Sequence, residues 1–187
     1  MDAELVRRAQ EGDRGAFEAI GREIIDRYHA LAYSILSDAQ QAQDATQSAL
    51  LTIWRDLPKL RDPDRFGAWS YRILVRSCYA EARRAPKWVS DELMPTFADQ
   101  RVDTELRAVI DRDQLERGFR GLSVEQRTVV VLHHLADMPL DQVAEVTGVP
   151  EGTVHSRLYR ALSALRAALE ADARDPALVH ESQEVAR

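Results

Sequence analysis

Positions 151–160 read Glu-Gly-Thr-Val-His-Ser-Arg-Leu-Tyr-Arg. On a helix, removing the inward residues leaves Thr153, His155, Ser156, Arg157 and Arg160 facing out. Hydroxyl, imidazole and guanidinium groups in this arrangement suit base edges and phosphates. They would equally suit a solvated helix face. The residues just before them carry a stronger signal, because Ala144, Gly148 and Val154 have the spacing of a helix-turn-helix. Ala144 is small, so a second helix can cross closely. Gly148 permits the left-handed backbone that ends the first helix. Val154 ties the second helix into the shared core, and Pro150 prepares the turn. Helices packed this way leave the N-terminal part of the second one free to enter a major groove.

A second group lies upstream. Trp69, Tyr71, Arg72 and Arg76 mix aromatic and basic residues on one helical stretch, beside a loop at 58–64. Such a mixture can stack on unpaired bases and hold their phosphates. The alternative keeps Phe66 and Trp69 in a core and leaves the arginines solvated.

Other chemistries lack material. No nucleophile–base pair or phosphate loop stands out, so no enzymatic role is read and no cofactor is expected. Cys78 is the only cysteine, which removes internal disulfides and multi-thiolate zinc. It reads as a small buried hydrophobe. His133 and His134 are adjacent and point about 100° apart on a helix, so packing or surface is favoured over metal. No run approaches the ~18 apolar residues of a membrane helix, and no membrane insertion is expected. The opening Met1-Asp2-Ala3-Glu4-Leu5 lacks the basic-then-apolar order of a secretory signal. A reducing cytoplasm is the expected compartment.

The elements that must position these residues are helical. Phe17, Ile20, Ile24, Tyr28, Leu31 and Ile35 step by three and four behind Asp13, a plausible N-cap. Ala45, Ala49, Ile53 and Leu57 share one face of a helix starting near Asp38. Asp62-Pro63 restarts the chain, and a helix carrying Phe66, Trp69, Ile73 and Cys78 runs to Arg83-Arg84. Residues 86–103 lose periodicity and read as a linker. Val109, Leu115 and Phe119 suggest another helix. Ser123 and Gln126 form a capping-box pattern ahead of Val129, Val130, Leu132 and Leu135. A short helix covers 140–146, and a last one runs from about 151 to 169 with Val154, Leu158, Leu162, Leu165 and Leu169 inward. The fold class is all-α.

Net charge over the 187 residues is −6, which taken alone argues against nucleic acid. Its distribution says otherwise. Residues 65–88 hold six basic residues against Glu81, a local +5, while 89–116 hold eight acids against three arginines, a local −5.

With both motif groups in view, the chain resembles an extracytoplasmic-function (ECF) RNA polymerase sigma factor over about residues 3–170. Residues 38–55 and 66–73 look like region two of that family; 122–127 and 152–162 look like region four. The resemblance implies two small helical domains joined by a flexible acidic linker. The division is 1–88 for region two, 89–104 for the linker, 105–171 for region four and 172–187 for a polar tail. It implies core RNA polymerase and promoter DNA as partners. Region two would melt the −10 element through Arg61, Trp69, Arg72 and Arg76. Region four would read the −35 element through Thr153, His155, Ser156, Arg157 and Arg160. Polymerase would meet Asp38, Gln41, Asp44, Gln47 and Ser48. Many relatives are held by an anti-sigma factor.

Two departures stand out. The family's acids on the helix from Asp38 are thinned here to Asp38 and Asp44, with Gln40, Gln41, Gln43 and Ser48 neutral. Phosphate on Thr46, Ser48 or Thr52 would add about −1.5 to −2 charges; some acid-depleted groups of the family are switched by a Ser/Thr kinase. Arg76 stands where the family often has Asn, and it lacks the amide's paired donor and acceptor. Rival readings are a sigma-like decoy that titrates an anti-sigma factor without initiating transcription, and a simple helix-turn-helix repressor. The repressor leaves residues 1–90 without a role.

Overall fold

The computed structural model describes residues 1–84 and 117–172. The expected linker, most of the helix carrying Val109 and Leu115, and residues 173–187 of the polar tail lie outside these. Among the described residues every regular element is helical.

Aspartates set the starts in the N-terminal half. Asp2, Asp13 and Asp38 are the N-caps of α1 (Ala3–Gln10), α2 (Arg14–Leu36) and α3 (Ala39–Asp56). Each accepts from a backbone N–H of its first turn. Pro58 falls in a 3-10 turn, Leu57–Lys59, that closes α3. A second 3-10 turn, Pro63–Arg65, is capped by Asp62 and leads into α4 (Phe66–Arg84). Ala45, Ala49, Ile53 and Leu57 are all buried, as their spacing predicts. So is the α2 stripe of Ile20, Ile24, Tyr28, Leu31 and Ile35. Inside, the Tyr28 hydroxyl donates to Ser70 Oγ at 2.6 Å, fastening α2 to α4.

Ser123 and Gln126 make the full capping box at the start of α5 (Val124–Val130). The following residues, Val131–Leu135, form a π turn rather than continuing the α-helix. The added residue per turn shifts the register, and Leu135 points out at 44% exposure instead of inward. Next come α6 (Leu140–Thr147) and α7 (Glu151–Asp172). Gly148 ends α6 at φ +72, donating its N–H to Ala144 O at 2.8 Å. The inner face of α7 is Val154, Ala161 and Leu165, with Leu158 half-buried. Leu162, expected inward, is exposed; the true stripe steps 154, 158, 161, 165 and Leu162 falls one position off it.

The two halves touch. One continuous apolar cluster joins α1–α4 to Val129, Val131, Leu132, Met138, Val143, Val146 and Val154. A smaller one, of Leu122, Val130, Ala161 and Leu165, belongs to the C-terminal half alone. Helix α6 lies against α4, and α5 with its π turn lies against α2.

Candidate nucleic-acid interface

The first turns of α7 carry the outward polar face. His155, Ser156 and Arg160 are exposed; Thr153 and Arg157 are half-buried. Ser156 Oγ donates to Thr153 O at 3.0 Å, which leaves its lone pairs outward. Glu151 Oε1 lies 3.5 Å from His155 Nε2, one turn away. Arg157 leans toward α4 and acts electrostatically on Tyr79. Tyr159, which the sequence reading set aside, is 75% exposed beside Ser156 and Arg160. Its i+3 spacing from Ser156 was the available signal.

The second group is gathered on α4 and the loop before it. Arg61 and Arg76 are exposed. Trp69 is half-buried on the core, its ring 6.0 Å from that of buried Phe66. It therefore packs and also keeps an accessible edge. Arg72 is half-buried, and its Nη2 donates to Glu145 O of α6 at 2.7 Å. Tyr71 turns inward to Tyr28, ring centroids 5.3 Å apart, with the Arg27 guanidinium 5.5 Å from its centre.

The third surface is α3. Asp44, Gln47 and Ser48 are exposed, and Gln41 is half-buried. Asp38 is half-buried and accepts from the Gln41 N–H at 2.8 Å, while exposed Asp44 accepts from Gln40 Nε2 at 3.2 Å. Thr52 is half-buried. Thr46 is not a surface residue: it is 3% exposed and its hydroxyl donates to Ala42 O at 2.7 Å. It stands one turn after Ala42 and three residues before Ala49, both fully buried, which puts it on the inner face of α3. Leu51 and Trp54 extend the outward stripe at 63% and 45% exposure, a pair the sequence reading passed over. Leu51 falls off the Ala45–Ala49–Ile53 face, which was the signal.

Cys78 is buried, and burial pushes its thiol up to about 12. His133 Nδ1 lies 2.8 Å from Met138 O, and the His133 and His134 rings pack 4.6 Å apart. Among the described residues no group of three metal-ligating side chains converges, and no helix is long and apolar enough to cross a membrane.

Residues 22–87 match the family Sigma-70 region 2, and residues 112–165 match Sigma-70, region 4. The chain is 31% identical to the RNA polymerase sigma-H factor of Pseudomonas aeruginosa, over 91% of this chain and 94% of that protein. It is 32% identical to the ECF RNA polymerase sigma factor SigM of Mycobacterium tuberculosis, over 88% of this chain and 82% of that protein. Among solved structures it resembles CnrH in complex with the cytosolic domain of CnrY, with a TM-score of 0.66 at 26% identity, covering 91% of this chain and 98% of that one. The fold is also that of the sigma factor RpoE of Bartonella quintana, with a TM-score of 0.67 at 21% identity, covering 83% and 98%.

Proposed function

Because this chain belongs to the ECF sigma factors of the Sigma-70 family, we propose that it binds core RNA polymerase in the cytoplasm and directs promoter-specific initiation. It reads a −35 element as duplex through His155, Ser156 and Arg160, flanked by Thr153, Arg157 and Tyr159. It opens a −10 element through Arg61, Trp69, Arg72 and Arg76. The observation that carries this reading is the pairing of an exposed polar face on α7 with a separate aromatic–basic surface on α4. Duplex recognition needs the first, and capture of an unpaired strand needs the second.

Polymerase docks on the α3 stripe of Asp44, Gln47, Ser48, Leu51 and Trp54. Few acids mark that stripe, and phosphorylation of exposed Ser48, or of half-buried Thr52, by a Ser/Thr kinase would supply the missing charge. An anti-sigma factor is a second means of control, a reading supported by the similar structure of CnrH in complex with the cytosolic domain of CnrY.

The weak acidic stripe also favours a decoy that captures an anti-sigma factor without initiating transcription. Run-off transcription with purified core polymerase separates the two readings. A transcript that requires this chain, and that is lost on Trp69→Ala with Arg72→Ala, supports the sigma reading. No transcript from any genomic promoter pool, with or without Ser48→Glu, leaves the decoy.

A further inference from the structure

The segment between α3 and α4 carries Arg61, and local bonds keep its turns in shape. The Leu60 N–H donates to Leu57 O at 3.1 Å, Lys59 Nζ to Asp56 at 2.6 Å, and the Arg65 N–H to Asp62 O at 3.1 Å. Each of these bonds joins residues three apart. Together they shape the turns without relating the segment to the helix in front of it.

Among the described residues, Gln10 is the side chain from elsewhere in the chain that bonds this segment's backbone. It is the last residue of α1. Its Nε2 donates to Leu57 O at 3.1 Å and to Leu60 O at 2.6 Å, across 47 and 50 positions. An amide nitrogen has two N–H groups, and both are used here on main-chain carbonyls at the two ends of one 3-10 turn. The arm that presents the amide is itself fixed. Val6 and Ala9 of α1 are buried in the core, and Asp2 caps its start.

The second bond also orients Arg61. The Leu60 carbonyl and the Arg61 N–H belong to one planar trans peptide and point opposite ways. Drawing the carbonyl toward Gln10 turns the Arg61 N–H away from it. Among the described residues nothing accepts from that N–H, and the Arg61 side chain is exposed. A backbone donor beside an exposed guanidinium suits the phosphate of a nucleic-acid strand.

We infer that Gln10 is a positioning residue for strand capture: from α1 it clamps the Leu57 and Leu60 carbonyls and so aims Arg61 at a phosphate of the opened strand. The inference rests on the proposed role of Arg61 at the −10 element.

The test uses the full chain assembled with core RNA polymerase. The probe is labelled single-stranded oligothymidine, titrated at three salt concentrations. Gln10→Met keeps the length of the side chain and its fitness for a helix but removes both donors. Gln10→Ala repeats the test with a smaller side chain. Val6→Ala loosens the packing of α1 and removes no bond to the segment.

Arg61→Ala lowers the salt slope by about 0.7, the value of one phosphate contact on a single strand. Gln10→Met exchanges one neutral residue for another, yet it lowers the slope toward the same value and weakens binding about two- to tenfold. The double variant has the slope of Arg61→Ala alone. Val6→Ala lowers the Tm more than Gln10→Met does and leaves the slope unchanged. A slope lowered by Arg61→Ala but not by either Gln10 variant overturns the inference and leaves the sigma reading standing. An equal change from Val6→Ala also overturns it, since α1 would then act only through stability. No change from Arg61→Ala counts against the −10 reading of Arg61 and takes the inference with it.

Discussion

The Tyr28 hydroxyl donates to Ser70 Oγ at 2.6 Å, and Ser70 Oγ donates in turn to Gly67 O at 3.0 Å. The chain of bonds fastens α2 to α4 in the interior, where Tyr28 is 2% exposed. Ser70→Ala removes the acceptor and orphans a buried O–H, costing about 1–3 kcal/mol. Tyr28→Phe leaves Ser70 bonded to Gly67 and costs about 1 kcal/mol. The double variant unfolds near the Tyr28→Phe value, because the donor that would be orphaned is gone. Urea unfolding of the three variants checks this, and simply additive losses would refute the coupling.

Cys78 makes a prediction about pH. Burial raises its thiol from 9.0 to about 12. The unfolded thiol therefore ionises first, and the native state holds the extra proton. The contribution is fully present below pH 9 and is lost as pH rises toward the native value, at about 1.4 kcal/mol per unit. Tyr28, also raised by burial, adds the same sign at higher pH. Between pH 8 and pH 10 the Tm of Cys78→Ala falls less than that of wild type. Parallel curves, offset only by the lost side-chain packing, would show that the thiol does not contribute.

The neighbours Thr46 and Ser48 respond oppositely to the same charge. Thr46 points into the core and bonds Ala42 O, so Thr46→Glu buries an unpaired carboxylate and unfolds the N-terminal half. Ser48 is exposed beside Asp44 on the α3 stripe. Ser48→Glu leaves Tm within about 0.5 kcal/mol of wild type. It tightens core polymerase binding about two- to tenfold at low salt. Thermal scans and a polymerase titration together test this, and unchanged affinity would remove Ser48 as a charge switch.

Local order was readable because it is encoded within a few residues. Asp13, Asp38 and Ser123 announce their helices as caps, and Gly148 announces the end of α6. The spacing of Ala45, Ala49 and Ile53 announces the buried side of α3. The outward polar residues of α7 follow from the same periodicity. What escaped was anything that breaks the period or crosses the chain. The π turn at Val131–Leu135 adds a residue to one turn without any glycine or proline to mark it, and Leu135 swings out. Glu145 and Arg72 are 73 positions apart, so no spacing rule connects them. Thr46 reads as a polar surface residue by type alone. Only the burial of Ala42 and Ala45 beside it, together with its bond to Ala42 O, shows it to be interior.

The depth of each residue along α7 assigns its task. In a helix-turn-helix the first turns of the second helix approach base edges, and later turns meet the flanking backbone. His155 and Ser156 stand in the first two turns of a helix that begins at Glu151, while Arg160 stands in the third. Arg160→Ala in the assembled polymerase therefore weakens promoter binding about equally for all −35 sequences and lowers the salt slope by about one. Ser156→Ala leaves the slope unchanged and alters discrimination at one base pair by about 1–3 kcal/mol. Competition binding against single-substituted −35 duplexes at three salt concentrations separates the two outcomes. A sequence-selective loss from Arg160→Ala, with a uniform loss from Ser156→Ala, would mean that α7 lies in the groove in the opposite register.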